Sequence, residues 1–228
     1  MSLTDEAIAE IHRLIQAGKL KPGAKLPPEQ QLAAELNISR GSMREAVKAL
    51  SVARVLDVRR GDGTYVTSLA PSVLLEGLGV AVELMHGKTV LELTEVRRLF
   101  EPVATGLAAT RVSAEGLAEI RGHLDAMIEA GDDIESLVRH DAAFHRSVVA
   151  ATGNEALTTL LEGISGRTLR ARVWRGMVEA SSAHRTVAEH EAIYSALADG
   201  DAALAQAAAL LHVGTSERWL RRMHEAGT

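Results

Sequence analysis

Within "LVRHDAAFHRSVVA" (residues 137–150), Asp141 and His145 stand four residues apart among Leu137, Phe144 and Val148 at helical spacing. Side chains at i and i+4 share a helix face, so Asp141 and His145 turn inward together with Leu137 and Val148. A buried carboxylate is costly unless something pairs with it. Two more histidines lie on apolar helix faces: His190 with Val187, Tyr194 and Leu197, and His212 with Ala205, Ala208, Ala209 and, two turns on, Trp219. Each histidine taken alone reads as a core residue with its hydrogen bonds met. One aspartate and three histidines converging from three helices would be different. Such a set offers nitrogen and oxygen donors without thiolates, which suits zinc, nickel, manganese or a similar divalent ion.

The same donors describe a hydrolytic metal site, so a metal-dependent hydrolase built on a helical bundle is the rival reading. It needs a general base beside the metal. Glu189 and Glu191 flank His190 in sequence, but neighbours on a helix point about 100° to either side. No H-E-x-x-H occurs, and of the two Glu-x-x-His pairs a di-iron bundle requires, only Glu83 with His86 fits the spacing. Neither G-x-S-x-G nor a phosphate-binding or dinucleotide-binding glycine motif is present, and no enzyme is expected.

A second group with chemistry lies in "NISRGSMREA" (37–46). Ser39 is placed to cap a helix whose first turn and a half carries Arg40, Ser42 and Arg44. Arginine forks onto guanine O6 and N7, and serine reaches phosphate or base, while the N-terminus of a helix favours an anion. Downstream, Arg59, Arg60 and Gly61 sit at the turn of "VLDVRRGDGTYVTSL", within reach of a minor groove or backbone. The formal net charge is −5, yet residues 40–60 carry +4 and residues 1–68 carry +2. A local basic patch on an acidic chain fits specific phosphate contact and discourages indiscriminate binding.

These residues need elements to hold them. A first helix runs from Thr4, a candidate N-cap, through Ile8, Ile11, Leu14 and Ile15 to Gly18. Pro27 and Pro28 open a second helix with Leu32, Ala33 and Leu36, ending near Asn37. Ser39 opens a third, with Met43, Val47 and Leu50 as its inner face. Two short β-type runs around Gly-Asp-Gly then read as a hairpin. Residues 1–68 are therefore a winged helix-turn-helix of three helices plus a β-hairpin, and 69–73 a linker. Residues 74–228 show helical periodicity alone, over about 74–86, 89–111, 114–130, 133–151, 155–178, 183–199 and 201–225, broken at Gly87, Ser113, Gly131-Asp132, Gly153-Asn154, Ser181-Ser182 and Gly200-Asp201. The fold class is mainly α, with a C-terminal bundle of six to seven helices.

The chain has no cysteine, which removes disulfides and thiolate chemistry. No run of about 18 apolar residues occurs, and the N-terminus lacks the apolar stretch of a secretory signal. A cytoplasmic protein without a membrane segment is expected.

The stretch "KLKPGAKLPPEQQLAAELNISRGSMREAVKALSVARVLDVRRGDGTYV" resembles the winged-helix domain of GntR-type bacterial transcription regulators. Their pattern is L-P-S-E-R-x-L-A, then V-S-R-x-x-V-R-E-A-L, then G-x-G-T-x-V. The resemblance implies DNA contacts at Arg40, Ser42, Arg44 and Gly61. Gln30 stands where the family has arginine, and Arg54 where it usually has glycine after the recognition helix. The remainder resembles the FCD ligand-binding domain of the FadR subgroup, through "DAAFH", "ATGNEAL" and "EHEAIYSALADGD". That resemblance implies metal ligands at Asp141, His145, His190 and His212, with His140 and His184 off the ligand positions. It also implies an effector-binding arginine at Arg97, in "EVRRLFEPVATGLAA". A guanidinium in a cavity is suited to capturing a carboxylate, although a salt bridge to Glu101 at i+4 is the competing reading. Arg167, Arg170 and Arg172 are further candidates.

The expectation is a metabolite-responsive regulator, a repressor, binding double-stranded operator DNA as a homodimer and sensing a small carboxylate effector through a divalent metal.

Overall fold

The computed structural model describes residues 2–84, 89–179 and 182–226. The chain divides into two compact units, residues 1–77 and 78–228.

In the first unit, α1 (Leu3–Gln16) starts two residues before the point the sequence suggests. Ser2, not Thr4, is the N-cap. Its hydroxyl accepts from Asp5 N at 3.1 Å while Asp5 accepts from Ser2 N at 2.8 Å, and this reciprocal pair satisfies two otherwise orphaned donors. α2 (Glu29–Glu35) follows Pro28, and Asn37 makes the turn with φ 54°. Ser39 caps α3 (Arg40–Val52), accepting from Ser42 N at 3.0 Å. Strands β1 (Leu56–Arg59) and β2 (Gly63–Val66) pair antiparallel, Leu56 opposite Val66 and Arg59 opposite Gly63. Ala7, Ile11, Leu32, Met43, Val47, Leu50, Leu56 and Val66 form one buried core. A single turn, α4 (Pro71–Leu74), occupies most of the stretch whose composition reads as a linker.

The second unit is helical throughout its described residues. After α5 (Glu76–Leu84) come α6 (Thr89–Ala109), α7 (Ala114–Ala130), α8 (Ile134–Ala150), α9 (Glu155–Val178), α10 (Ser182–Ala198) and α11 (Ala202–Ala226). Ser113, Asp133 and Asn154 cap α7, α8 and α9 through their side chains. The breaks expected at Gly87 and Ser181 lie outside the described residues. α6 packs along α11, where Gly106 admits the Ala202 carbonyl so closely that a Cβ would stand 2.9 Å from it. α7, α8, α10 and α11 share a core of Ile120, Leu124, Phe144, Val148, Ile193, Leu197 and Ala209. Val82, Leu93, Ala104, Val149, Leu161 and Ile164 form a neighbouring one. No described helix is long and apolar enough to cross a membrane.

Arg54 explains the glycine that the resemblance leads one to expect. It follows the C-cap Ala53 with φ 58°, in the left-handed region, where a Cβ crowds the backbone. Thr67 Oγ1 donates to its carbonyl at 2.8 Å, tying the hairpin to the end of α3, and its Nε lies 2.9 Å from Glu76 Oε2 in an exposed ion pair. Exposed pairs contribute little, so backbone relief is the larger effect. Arg54→Gly is expected to stabilise the protein by about 0.5–1 kcal/mol, read as a higher urea midpoint; a lower midpoint would give the Glu76 pair the greater weight.

Candidate functional site

Asp141 and His145 stand one turn apart on α8, His190 lies on α10 and His212 on α11. The fold brings all four together: one ligand atom from each lies within 4.8 Å of every other. Asp141, His190 and His212 are buried and His145 nearly so. His145 Nε2 is 3.1 Å from His212 Nε2, and Asp141 Oδ1 is 3.1 Å from His190 Nε2 and 3.7 Å from His145 Nε2. The edge of Phe144 packs against His190, ring centroids 4.6 Å apart.

The surroundings fix which ring nitrogens carry protons. His190 Nδ1 donates to the Thr186 carbonyl at 2.7 Å, and His212 Nδ1 donates to Glu189 Oε2 at 2.8 Å. His145 Nδ1 faces Glu101 Oε2 at 3.4 Å. Carbonyls and carboxylates only accept, so the Nδ1 atoms of His190 and His212 keep their hydrogens and their Nε2 atoms are lone pairs. Burial pushes the His145 and His212 imidazoles below their ordinary range, against the pull of Asp141 on His145 and of Glu189 on His212. Burial alone would raise the Asp141 carboxyl. The Arg172 guanidinium, bonded to Asp141 Oδ2, outweighs that and holds it well below the usual carboxylate range.

Four ligand atoms therefore face one another, and three of them, Asp141 Oδ1 and the Nε2 atoms of His190 and His212, are acceptors. Asp141 Oδ1 and His190 Nε2 are buried without any hydrogen-bond partner. Acceptors at such spacing repel unless a cation lies between them. Ligand atoms about 2.0–2.1 Å from an ion such as zinc stand about 3.0–3.4 Å apart around it, a range that includes the His145–His212 and Asp141–His190 separations of 3.1 Å and falls short of the 3.7 Å between Asp141 and His145. The residues fit a divalent metal and could hold one.

Arg97 is placed differently from the expectation of an open carboxylate fork. It is buried, and its Nε and Nη2 both donate to Glu101, at 2.5 and 3.1 Å. Its Nη1 lies 3.4 Å from Thr168 Oγ1. The i+4 pairing with Glu101 is the one formed, because a buried guanidinium one turn from a buried carboxylate neutralises both. Arg97 thereby aims Glu101 at His145. The side chains of Arg167, Arg170 and Glu83, and all of His86, lie outside the described residues. His140 turns toward His123, ring centroids 5.8 Å apart, and His184 is exposed; neither joins the cluster.

Sequence reasoning missed Glu101 and Glu189 as partners of the imidazoles and left Arg172 undistinguished from its neighbours. Glu189 adjoins His190, and the roughly 100° turn between them sends it to His212 on the next helix. Glu191 instead pairs with Arg121 on α7, at 2.9 Å.

Two cavities flank the cluster. One of about 420 Å³ lies between α8 and α9 and is lined in part by Glu101, His145, Arg146 and Ser165. Another of about 30 Å³ is bounded by Asp141, Arg172, Arg175, His212 and Ser216.

In the first unit, Ser39 and Ser42 join hydroxyls at 2.9 Å at the start of α3. Arg40 and Arg44 are exposed beside them, and Arg44 is held only loosely by Glu29 at 3.8 Å. On the wing, Arg59 bonds Asp57 at 2.9 Å and lies over the Tyr65 ring. Arg60 is exposed next to Gly61, whose φ of 76° makes the turn. This is a helix N-terminus and a hairpin tip carrying exposed cations, as a winged reader of DNA requires.

The gntR family of bacterial regulatory proteins matches residues 3–66, and the FCD domain matches residues 92–215. The HTH-type transcriptional regulator LutR of Bacillus subtilis is 34% identical over 209 residues, covering 90% of this chain and 94% of that protein. The galactonate operon transcriptional repressor of Escherichia coli is 28% identical over 228 residues, covering 98% and 99%. A solved structure of Streptococcus agalactiae GntR superposes with a TM-score of 0.69 at 26% identity, covering 94% of this chain and 99% of that one. The family and these relatives regulate transcription, and the hydrolase alternative is set aside. The chain belongs to the gntR family of bacterial regulatory proteins, as a DNA-binding transcriptional regulator, not an enzyme, with a C-terminal FCD ligand-binding domain.

Proposed function

We propose that the protein is a metabolite-responsive repressor acting in the cytoplasm, which binds a two-fold operator as a homodimer and senses a small organic acid at a divalent metal. The observation that carries the sensor half is the convergence of four ligand atoms, from Asp141, His145, His190 and His212, of which Asp141 Oδ1 and His190 Nε2 are buried without a hydrogen-bond partner. A three-nitrogen, one-oxygen set without thiolate favours zinc, with nickel or manganese also suited. When bound, the ion supplies positive charge and an open coordination position to an acid. The chain's own residues orient the rings: Glu189 sets His212, the Thr186 carbonyl sets His190, and Glu101, held by Arg97, faces His145.

The repressor reading draws on the relative named for repression of a galactonate operon. Galactonate carries a hydroxyl next to its carboxylate, and a 2-hydroxy acid grips a metal through both oxygens. The same chemistry is proposed for the effector here. On the DNA side, Arg40 and Arg44 would read base edges, Ser39 and Ser42 would meet phosphate at the start of α3, and Arg59, Arg60 and Gly61 would follow the backbone or minor groove. One winged helix covers only a half-site, so pairing two chains supplies the specificity one cannot.

Three outcomes test this reading. Arg44→Ala is expected to weaken operator binding by about 1–3 kcal/mol in fluorescence anisotropy at fixed salt; unchanged affinity removes Arg44 from the reading helix. His190→Ala is expected to lose stoichiometric metal by elemental analysis while keeping its helical circular dichroism, and full metal content refutes the ligand assignment. Metal-loaded protein is expected to melt higher with galactonate or lactate, by about 2.7 kcal/mol of added stability at a hundredfold excess over Kd. The rise should disappear after chelation; no response to any small hydroxy acid would sink the sensor reading.

A further inference from the structure

The family resemblance implies effector capture at Arg97, yet Nε and Nη2 of that guanidinium, one whole edge of its fork, are occupied by Glu101. Arg172 on α9 is arranged otherwise. Its Nη1 holds Asp141 Oδ2, while its Nε is buried without any hydrogen-bond partner. Its side chain is nine-tenths buried, and together with Asp141, His212, Arg175 and Ser216 it bounds the cavity of about 30 Å³. Arg175 is no rival for the same role, because its Nε goes to Glu179 at 2.8 Å and its Nη1 to Ser216 at 3.2 Å.

A buried guanidinium N–H without an acceptor is expensive, because its desolvation is uncompensated. Building one beside a cavity makes sense if a ligand supplies the acceptor. The cavity has the size for it: one water needs about 10–15 Å³ measured this way, so about two oxygen atoms fit, the number a carboxylate brings. Charge points the same way. Asp141 is shared, with Oδ2 on Arg172 and Oδ1 among the imidazoles. A divalent ion at the imidazoles would cancel that carboxylate and leave the guanidinium short of a counter-charge.

We propose that Arg172 is the effector-reading residue, donating from Nε to the carboxylate of a 2-hydroxy acid while its Nη1 keeps Asp141 in place. The inference rests on the sensor reading above and moves the specificity contact from α6 to α9. It has a mechanical corollary. A carboxylate fits the cavity but the rest of an acid does not, so binding widens the space between α9 and α11. The acid then has different affinities for the narrow and wide arrangements, which is the condition for a ligand to shift an equilibrium.

The test uses full-length, zinc-loaded protein, with lactate and galactonate as probes in calorimetric titration and elemental analysis run alongside. Arg172→Lys keeps the positive charge for Asp141 but removes Nε. The expected result is stoichiometric zinc with acid affinity reduced at least tenfold. Arg172→Gln, read in the same way, serves if the lysine variant does not fold. Ala142→Leu fills the larger cavity and is expected to leave acid binding unchanged. Acid affinity retained in Arg172→Lys, or lost only in Ala142→Leu, overturns the assignment, because the acid then sits elsewhere. Loss of zinc together with acid also overturns it, since Arg172 would only position Asp141. If wild type binds zinc but neither acid, the sensor reading itself fails and takes this inference with it.

Discussion

The helical domain is organised around one carboxylate. Asp141 is buried, and its two oxygens face different partners. Oδ2 takes the Arg172 guanidinium from α9, and Oδ1 faces three imidazoles from α8, α10 and α11. A lone carboxylate at this depth would take up a proton rather than stay charged. Here the Arg172 guanidinium holds it ionised. With that charge fixed, the rest of the cluster follows. For a cation to sit at Oδ1 each imidazole must offer it a lone pair, so each Nδ1 needs an acceptor on its far side: Glu189 and the Thr186 carbonyl take those of His212 and His190, and Glu101 faces that of His145.

That dependence explains what could be read from sequence. Asp141 and His145 were legible because they belong to one helix, where spacing of four fixes a shared face. His190 and His212 were legible as inward-facing residues, but no periodicity says that three helices bring their inner faces to one point; only the resemblance joined them. Glu189 and Glu101 were illegible as partners because their targets lie on other helices. The choice between the two readings of Arg97 stayed open for a related reason. A family pattern carries the position of a guanidinium but not which of its donors are already occupied, and Glu101, one turn on, takes two of them.

The boundaries of elements show the same division between local and distant causes. Ser39, Ser113 and Asn154 begin helices as their types predict, because a cap is a contact between residues three apart. Thr4 gave way to Ser2 because Asp5 can close a reciprocal pair with Ser2. Arg54 is the instructive departure. The backbone there is left-handed whether or not the residue suits it, since the Thr67 bond to its carbonyl ties the hairpin to α3. Topology sets the conformation, and the side chain bears the strain.

The cluster also limits what sort of signal the domain can give. Asp141 and His145 come from α8, Arg172 from α9, His190 and Glu189 from α10, His212 from α11, and Glu101 from α6. Five of the described helices thus meet at one ion-sized point, and a change in any partner's position is felt by the others through short, directional bonds. A packed interior is not continuously deformable, so the set moves between discrete arrangements or not at all. A ligand that only filled space beside the cluster would bind both arrangements alike and shift nothing. One that takes a coordination position and a buried N–H at once distinguishes them, because both contacts depend on the separation of the helices that supply them. On the proposed reading the polar centre of the bundle would act as its switch, and the apolar cores on either side as the parts that keep the arrangements few.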